Sequence, residues 1–169
     1  MKRAEKLVQL HSVDGQIGKL LYGELSKNVK SPFSFNERNY YPPKDPVNAV
    51  LSFIFSLLSK LITCAVLSKG LEPFLGFFHE RRGSHPALAS DLIELSRPLA
   101  VRFVEELFAG DFFTPDDFKK SSKGVVIEKD AVERLLSLLF KLELKEPLIE
   151  PSLLFLNWLT KWLREECSS

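Results

Sequence analysis

Pro46-Val47-Asn48-Ala49-Val50-Leu51-Ser52-Phe53-Ile54-Phe55-Ser56-Leu57-Leu58-Ser59-Lys60-Leu61-Ile62-Thr63-Cys64-Ala65-Val66-Leu67-Ser68 is apolar on nearly every side of a helix. A helix of that kind lies at the centre of a bundle or crosses a bilayer. Lys60 interrupts the run, and Asn48, Ser52, Ser56, Ser59 and Thr63 dilute it, which favours the buried core helix over a membrane span. Its ends are marked by local chemistry. Asp45 supplies an N-cap oxygen, Pro46 suits the first helical position, and Gly70 is a natural C-terminal stop.

Upstream, Ser12 is placed to cap a helix running to about Lys30, with Val13, Ile17, Leu21, Leu25 and Val29 as its apolar stripe. The segment 31–44, with Tyr40-Tyr41-Pro42-Pro43, reads as an extended, ordered loop. Downstream, a short apolar segment leads to His79, and a loop from Glu80 to His85 feeds a helix from Pro86 to about Ala109. Its expected core stripe is Leu88, Leu92, Leu95, Leu99 and Phe103. Residues 110–124 are less regular and carry Lys119, Lys120 and Lys123, which read as a solvated loop or a nonspecific phosphate patch. Val125 to Ile127 suits one short strand, Lys129 to about Leu144 an amphipathic helix, and Glu150 to about Glu166 a last helix. Trp158 and Trp162 share a face of that last helix, as core or as a partner-facing stripe. The prediction is all-α, a single helical-bundle domain over residues 1–169 with at most one short strand.

Bulk properties narrow the function. A chain of 169 residues with 45% hydrophobic content supports a real core. Net charge of +1 announces no overall basicity, so any nucleic-acid contact must use local patches. Cys64 and Cys167 have no CxxC spacing, which removes a structural zinc site and makes reduced thiols the default. The N-terminus is charged, with no signal-peptide pattern. Nucleotide-binding glycine motifs, HExxH and GxSxG are absent from the sequence.

One region does carry chemistry. His79 closes an apolar run, Arg81 and Arg82 follow on a glycine-bounded loop, and Asp91 and Glu94 stand at i and i+3 on the next helix. An imidazole with carboxylates suits a divalent cation, and arginines suit a phosphate. Each residue also has a plainer account: a solvated acid pair, a packed histidine, a solvated loop tip. Asp14 falls within the apolar arc of its helix, where a carboxylate needs a partner. That partner is a metal, an arginine or the positive end of the helix itself.

The motifs together resemble a known family. Arg38, then Tyr41-Pro42-Pro43-Lys44-Asp45-Pro46-Val47-Asn48-Ala49-Val50-Leu51-Ser52-Phe53, is similar to a signature of the CRISPR-associated integrase of spacer acquisition, the Cas-one family. So are Leu71-Glu72-Pro73-Phe74-Leu75-Gly76-Phe77-Phe78-His79-Glu80, Leu88-Ala89-Ser90-Asp91-Leu92-Ile93-Glu94 and Arg97-Pro98, over about residues 12–144. The resemblance implies the family's C-terminal helical domain without its N-terminal β domain. It implies metal ligands at Asp14, His79 and Glu94, with Asp91 in a catalytic supporting role that positions a ligand or relays a proton. The cofactor would be Mn²⁺ or Mg²⁺. Arg38, Lys44, Arg81 and Arg82 are expected at DNA phosphates. Asp14 stands where the family has glutamate, and Phe55 where it often has tyrosine.

The implied activity is metal-dependent DNA cleavage and strand transfer of spacer DNA. The implied partners are DNA, a Cas-two-like adaptation protein, and either a second copy or a separate β-domain chain. The setting would be a prokaryotic cytoplasm, away from membranes. The alternatives are a non-catalytic DNA-binding or scaffolding remnant, and a helical interaction module using the Trp158/Trp162 face.

Overall fold

The computed structural model describes residues 2–79, 83, 85–141 and 145–167. Helices α1 (Lys2–Asn28), α2 (Pro46–Ser68) and α3 (Ala87–Ala109) precede strands β1 (Phe118–Ser121) and β2 (Gly124–Ile127). Helices α4 (Lys129–Lys141) and α5 (Lys145–Cys167) follow. The fold is all-α, as the periodicity predicts, with a minor hairpin. By its internal contacts the chain forms two compact units, Met1–Ser52 with Val101–Glu133, and Phe53–Ala100 with Arg134–Ser169.

The signals around α2 act as expected. Asp45 Oδ1 accepts from the Asn48 N–H at 2.8 Å, the hydrogen bond of an N-cap. At the other end Gly70 takes φ +75°, its N–H donates to Leu67 O (2.9 Å) and the Leu71 N–H donates to Val66 O (3.2 Å). That pair of bonds is a Schellman stop, which needs the left-handed backbone glycine adopts without strain. What the sequence overstated is burial. Val47, Val50, Leu51, Ile54, Leu58, Ile62 and Val66 are buried, whereas Ser56, Lys60, Cys64 and Leu67 are exposed. The helix is thus buried along one stripe. By length and composition it is apolar enough to cross a membrane, a test that core helices of soluble proteins also pass.

Other expectations are corrected. Helix α1 begins at Lys2, ten residues before Ser12, because Ala4, Glu5, Lys6 and Leu7 continue the helix-favouring pattern. Asp14 is therefore mid-helix and gains nothing from a helix N-terminus. Its neighbours Val13 and Ile17 are 51% and 45% exposed, so the supposed apolar arc is not buried at this level. Gly18 is buried, and the first buried apolar side chain among the residues whose burial is described is Leu25. On α3, Leu95 and Leu99 are exposed, and the buried line runs Leu88, Leu92, Ser96, Ala100, Val104. Ser96 is accommodated because its hydroxyl meets that of Ser152 (2.6 Å), which itself donates to Leu92 O (2.7 Å). Helix α5 starts at Lys145 rather than Glu150, with Pro147 in its first turn, where a missing N–H costs little.

The lysine-rich stretch is half of a hairpin, where one strand was expected. Phe118 pairs Ile127, Lys119 pairs Val126, Lys120 pairs Val125 and Ser121 pairs Gly124, antiparallel. Val125 turns inward and its N–H donates to Pro43 O (2.8 Å), fixing the hairpin to the proline loop within the first unit. Phe33, Phe108, Phe113 and Phe118 pack ring against ring beneath it. In the second unit Ile62, Val66, Leu88, Ala89, Leu92 and Leu156 form the core.

Candidate functional site

The second unit organises itself around one carboxylate. Asp91 sits one turn into α3 with its side chain fully buried. An isolated buried charge is costly, and here hydrogen bonds offset that cost. The Phe77 and Phe78 N–H groups donate to Oδ2 at 2.6 and 3.0 Å. The His79 N–H donates to Oδ1 at 2.7 Å. Three successive backbone N–H groups thus converge on one anion, as in a backbone nest. The fourth bond is from the His79 side chain: Nδ1 lies 2.7 Å from Oδ1. Because Asp91 has only acceptors to offer, Nδ1 carries the proton. In the neutral ring the lone pair is then on Nε2. A carboxylate behind a histidine in this way fixes the tautomer and orientation of a ligating imidazole.

The loop closes on Asp91 only because residue 76 is glycine. A Cβ there would lie 2.6 Å from His79 O and 2.9 Å from both Asp91 Oδ2 and the Ala87 Cβ. Gly76→Ala is accordingly expected to destabilise the fold by about 1–3 kcal/mol, as overpacking does. Urea unfolding followed by circular dichroism measures it, and an unchanged midpoint would contradict the close approach.

Glu94, one turn beyond Asp91, is mostly buried and ion-paired with Arg97. His85 lies 2.8 Å from the Ser90 hydroxyl, a loop-to-helix tie rather than part of this arrangement. Arg81 and Arg82 lie outside the described residues.

Asp14 belongs to the first unit and is half-buried. Arg38 is also there, with both terminal nitrogens engaged by the chain itself: Nη1 bonds Asn48 Oδ1 (2.9 Å) and Asn39 O, and Nη2 bonds Ser52 Oγ (3.1 Å). Its guanidinium lies over the Tyr40 ring at 4.6 Å, and burial lowers its pKa below the ordinary value. Through these bonds Arg38 ties the loop to α2. Asn48, fully buried, completes that tie: its Nδ2 donates to Glu37 O and Asp45 Oδ2 (2.9 and 2.7 Å). Lys44 is exposed and, with Lys120, lines a cavity of about 520 Å³ bordered by Phe33, Phe118 and prolines.

Whether these residues suit a divalent cation turns on the donor set. His79 Nε2 and the Glu94 carboxylate are the right kinds of atom for Mn²⁺, with nitrogen disfavouring Mg²⁺. Among the described residues no group of three or more His, Cys, Asp or Glu side chains converges as a metal cluster. The fit is in chemistry, and in two donors of the second unit.

Sequence reasoning missed the backbone nest and Gly76's place in it. Their only trace is a glycine three residues before a histidine.

Comparison with known proteins gives the family. A model of "CRISPR associated protein Cas1" matches residues 1–141. The chain is 35% identical over 135 residues to a CRISPR-associated endonuclease Cas1 of Rhodospirillum rubrum, covering 78% of this chain and 39% of the relative. A chain of a partial Cas6-RT-Cas1–Cas2 complex shares the fold with TM-score 0.83 at 22% identity, covering 96% of this chain and 52% of that one. A casposase bound to integration product matches with TM-score 0.70 at 24% identity, over 78% and 38%. The chain thus spans roughly two fifths to half of these three proteins. The match from residue 1 and coverage of 78–96% of the chain correct the expectation of a remnant, similar only over residues 12–144 and defined by a missing β domain. The chain belongs to the CRISPR-associated Cas1 family.

Proposed function

We propose that this chain carries the phosphodiester chemistry of a CRISPR adaptation integrase, cutting DNA and joining its strands with Mn²⁺ or Mg²⁺ as cofactor. The observation that carries the reading is the Asp91–His79 pair, which holds one imidazole with its Nε2 lone pair directed away from its anchor. His79 and Glu94 would supply nitrogen and oxygen donors. Asp14 enters from its place in the sequence motif alone. The ion, when bound, polarises the scissile phosphate and stabilises the leaving oxygen.

The chain's own residues do the rest. Asp91 keeps the proton on Nδ1 and so keeps Nε2 a donor of electrons. Arg97 holds the Glu94 carboxylate in one orientation. Lys44, Arg81 and Arg82 meet backbone phosphates, fixing the DNA without reading its sequence. A DNA 3′-hydroxyl attacks in joining, and water attacks in cleavage. The likeness to a casposase bound to integration product and to a Cas6-RT-Cas1–Cas2 complex supports DNA and a Cas2-like protein as partners. The setting that follows is the prokaryotic cytoplasm.

A second reading rests on a specific observation. Glu94 is already paired with Arg97, and the described residues form no three-donor cluster. Both fit a DNA-binding scaffold without turnover. The two readings separate in one assay, incubation of branched DNA with Mn²⁺. Nicked or joined strands support the enzyme, and intact DNA that is nonetheless bound supports the scaffold.

A further inference from the structure

The hairpin of the first unit has one strand edge met by the chain and one left open. The Val125 N–H donates to Pro43 O, away from β1, so Lys120 and Val125 are a non-hydrogen-bonded pair. The ladder bonds then fall on the neighbouring pairs, Lys119 with Val126 and Ser121 with Gly124. The Glu128 N–H, donating to Asp117 O (2.8 Å), keeps the same alternation. The N–H and C=O of Lys120 and the C=O of Phe118 therefore point away from β2. The Phe118 N–H donates to Pro115 O. The sheet has two strands, and among the described residues no backbone group pairs with those three. Unpaired backbone groups in a row along an edge are a template for another strand.

Charge and shape select the occupant. Residues 118–127 carry Lys119, Lys120 and Lys123, all exposed, and no acid. Lysines on an open edge turn neutral strands away. They also turn away a second copy of β1, whose own lysines would stand against them. An acidic strand gains by the same charges. Phe118 and Lys120 are also the β1 side chains that line the cavity of about 520 Å³, with Phe33, Pro115 and Lys44. Asp45, the acid on its wall, is committed to Asn48 through both oxygens. What remains is apolar wall and positive charge. The inward side chains of an added strand lie beside those of Phe118 and Lys120, so an apolar one enters the cavity. A nucleic-acid backbone would satisfy the lysines but would leave both carbonyls unmet, since its phosphates only accept.

We propose that the open edge of β1 takes up an extended acidic segment of a partner protein as a third strand, with an apolar side chain seated in the cavity beside Phe33 and Phe118. Main-chain bonds to Lys120 and Phe118 hold the segment, and its carboxylates and its apolar anchor make it specific. Strand addition at β1 stands or falls without regard to the phosphodiester chemistry proposed above.

The probe is a labelled nine-residue peptide of alternating glutamate and isoleucine, titrated into the full chain without metal and followed by anisotropy. Two further peptides are N-methylated, one at every glutamate and one at every isoleucine. Successive residues of a strand turn their amides to opposite sides, so only one of these sets faces β1. The expected result is saturable binding that one methylation pattern abolishes and the other leaves, with slowed hydrogen exchange at the Lys120 amide. Lys120→Pro removes an N–H that the β1–β2 ladder does not use, and should weaken binding about tenfold or more. Lys120→Ala keeps that N–H and should weaken it only about threefold. Circular dichroism establishes that each variant is folded, and the methylated pair decides the matter on the wild-type chain if the proline variant is not. Equal binding of the two methylated peptides, equal binding of a lysine–isoleucine counterpart, full affinity in a folded Lys120→Pro, or no binding overturns strand addition. Loss of affinity for duplex DNA in Lys120→Ala, with no peptide bound by the wild type, overturns it as well and assigns the lysines to phosphates.

Discussion

His79→Ala and Glu94→Ala should each lower metal-dependent nicking and joining of branched DNA by about 10²-fold or more. Loss of an outer-shell partner alone typically costs about 10–100-fold in metal affinity or activity, and these residues are the donors themselves. The expected fold penalty is small, because His79 is partly exposed and the backbone N–H of residue 79 still bonds Asp91 in the alanine variant. Glu94→Ala leaves Arg97 without its acid, in a setting where both side chains are mostly buried. A stability loss of about 1–3 kcal/mol is expected there, so Glu94→Gln is the better-folded control. Gel-resolved single-turnover assays in Mn²⁺ measure the activity. Wild-type rates in either alanine variant would remove that residue from the chemistry.

Asp91→Ala should destabilise the protein by about 3 kcal/mol. It leaves the N–H groups of Phe77, Phe78 and His79 without their acceptor, each costing about 1–3 kcal/mol where water cannot fully replace it. Asp91→Asn separates anchoring from orientation. Its remaining oxygen can serve Phe77 and Phe78, while its NH₂ would oppose the His79 N–H and Nδ1. The imidazole then moves its proton to Nε2 or turns away. Stability should fall less than in the alanine variant, while activity drops about 10–100-fold. Thermal unfolding and the joining assay read the two effects. An Asn variant with full activity would show that Asp91 holds the loop and nothing more.

Local signals were readable in the sequence because their physics is local. Asp45-Pro46 and Gly70 bound α2 through bonds within four or five residues. Burial was less legible. Val13 and Ile17 have the spacing of a buried stripe yet face solvent, and Leu95 and Leu99 gave way to Ser96 and Ala100. A hydroxyl at Ser96 is tolerated only because Ser152, 56 positions away, meets it. The hairpin was hidden because β1 presents lysines to water and one-sided burial falls on Val125 alone. At the site, residue types indicated His79, Asp91 and Glu94 as chemistry-bearing. The nest around Asp91 was not visible, since backbone N–H groups have no sequence signature. The bonds of Arg38 to Asn48 and Ser52 were not legible either, because a guanidinium's partners are set by folding.

Mn²⁺ binding in the absence of DNA tests the central claim most directly. Thermal unfolding of the wild-type chain and of His79→Ala is compared with and without millimolar Mn²⁺. A cation that binds only the folded state at about 100 times its Kd adds about 2.7 kcal/mol, a rise of several degrees. The account predicts that rise in the wild type and its loss in His79→Ala. A melting temperature unmoved by Mn²⁺ in the wild type, or an equal rise in both proteins, would contradict it.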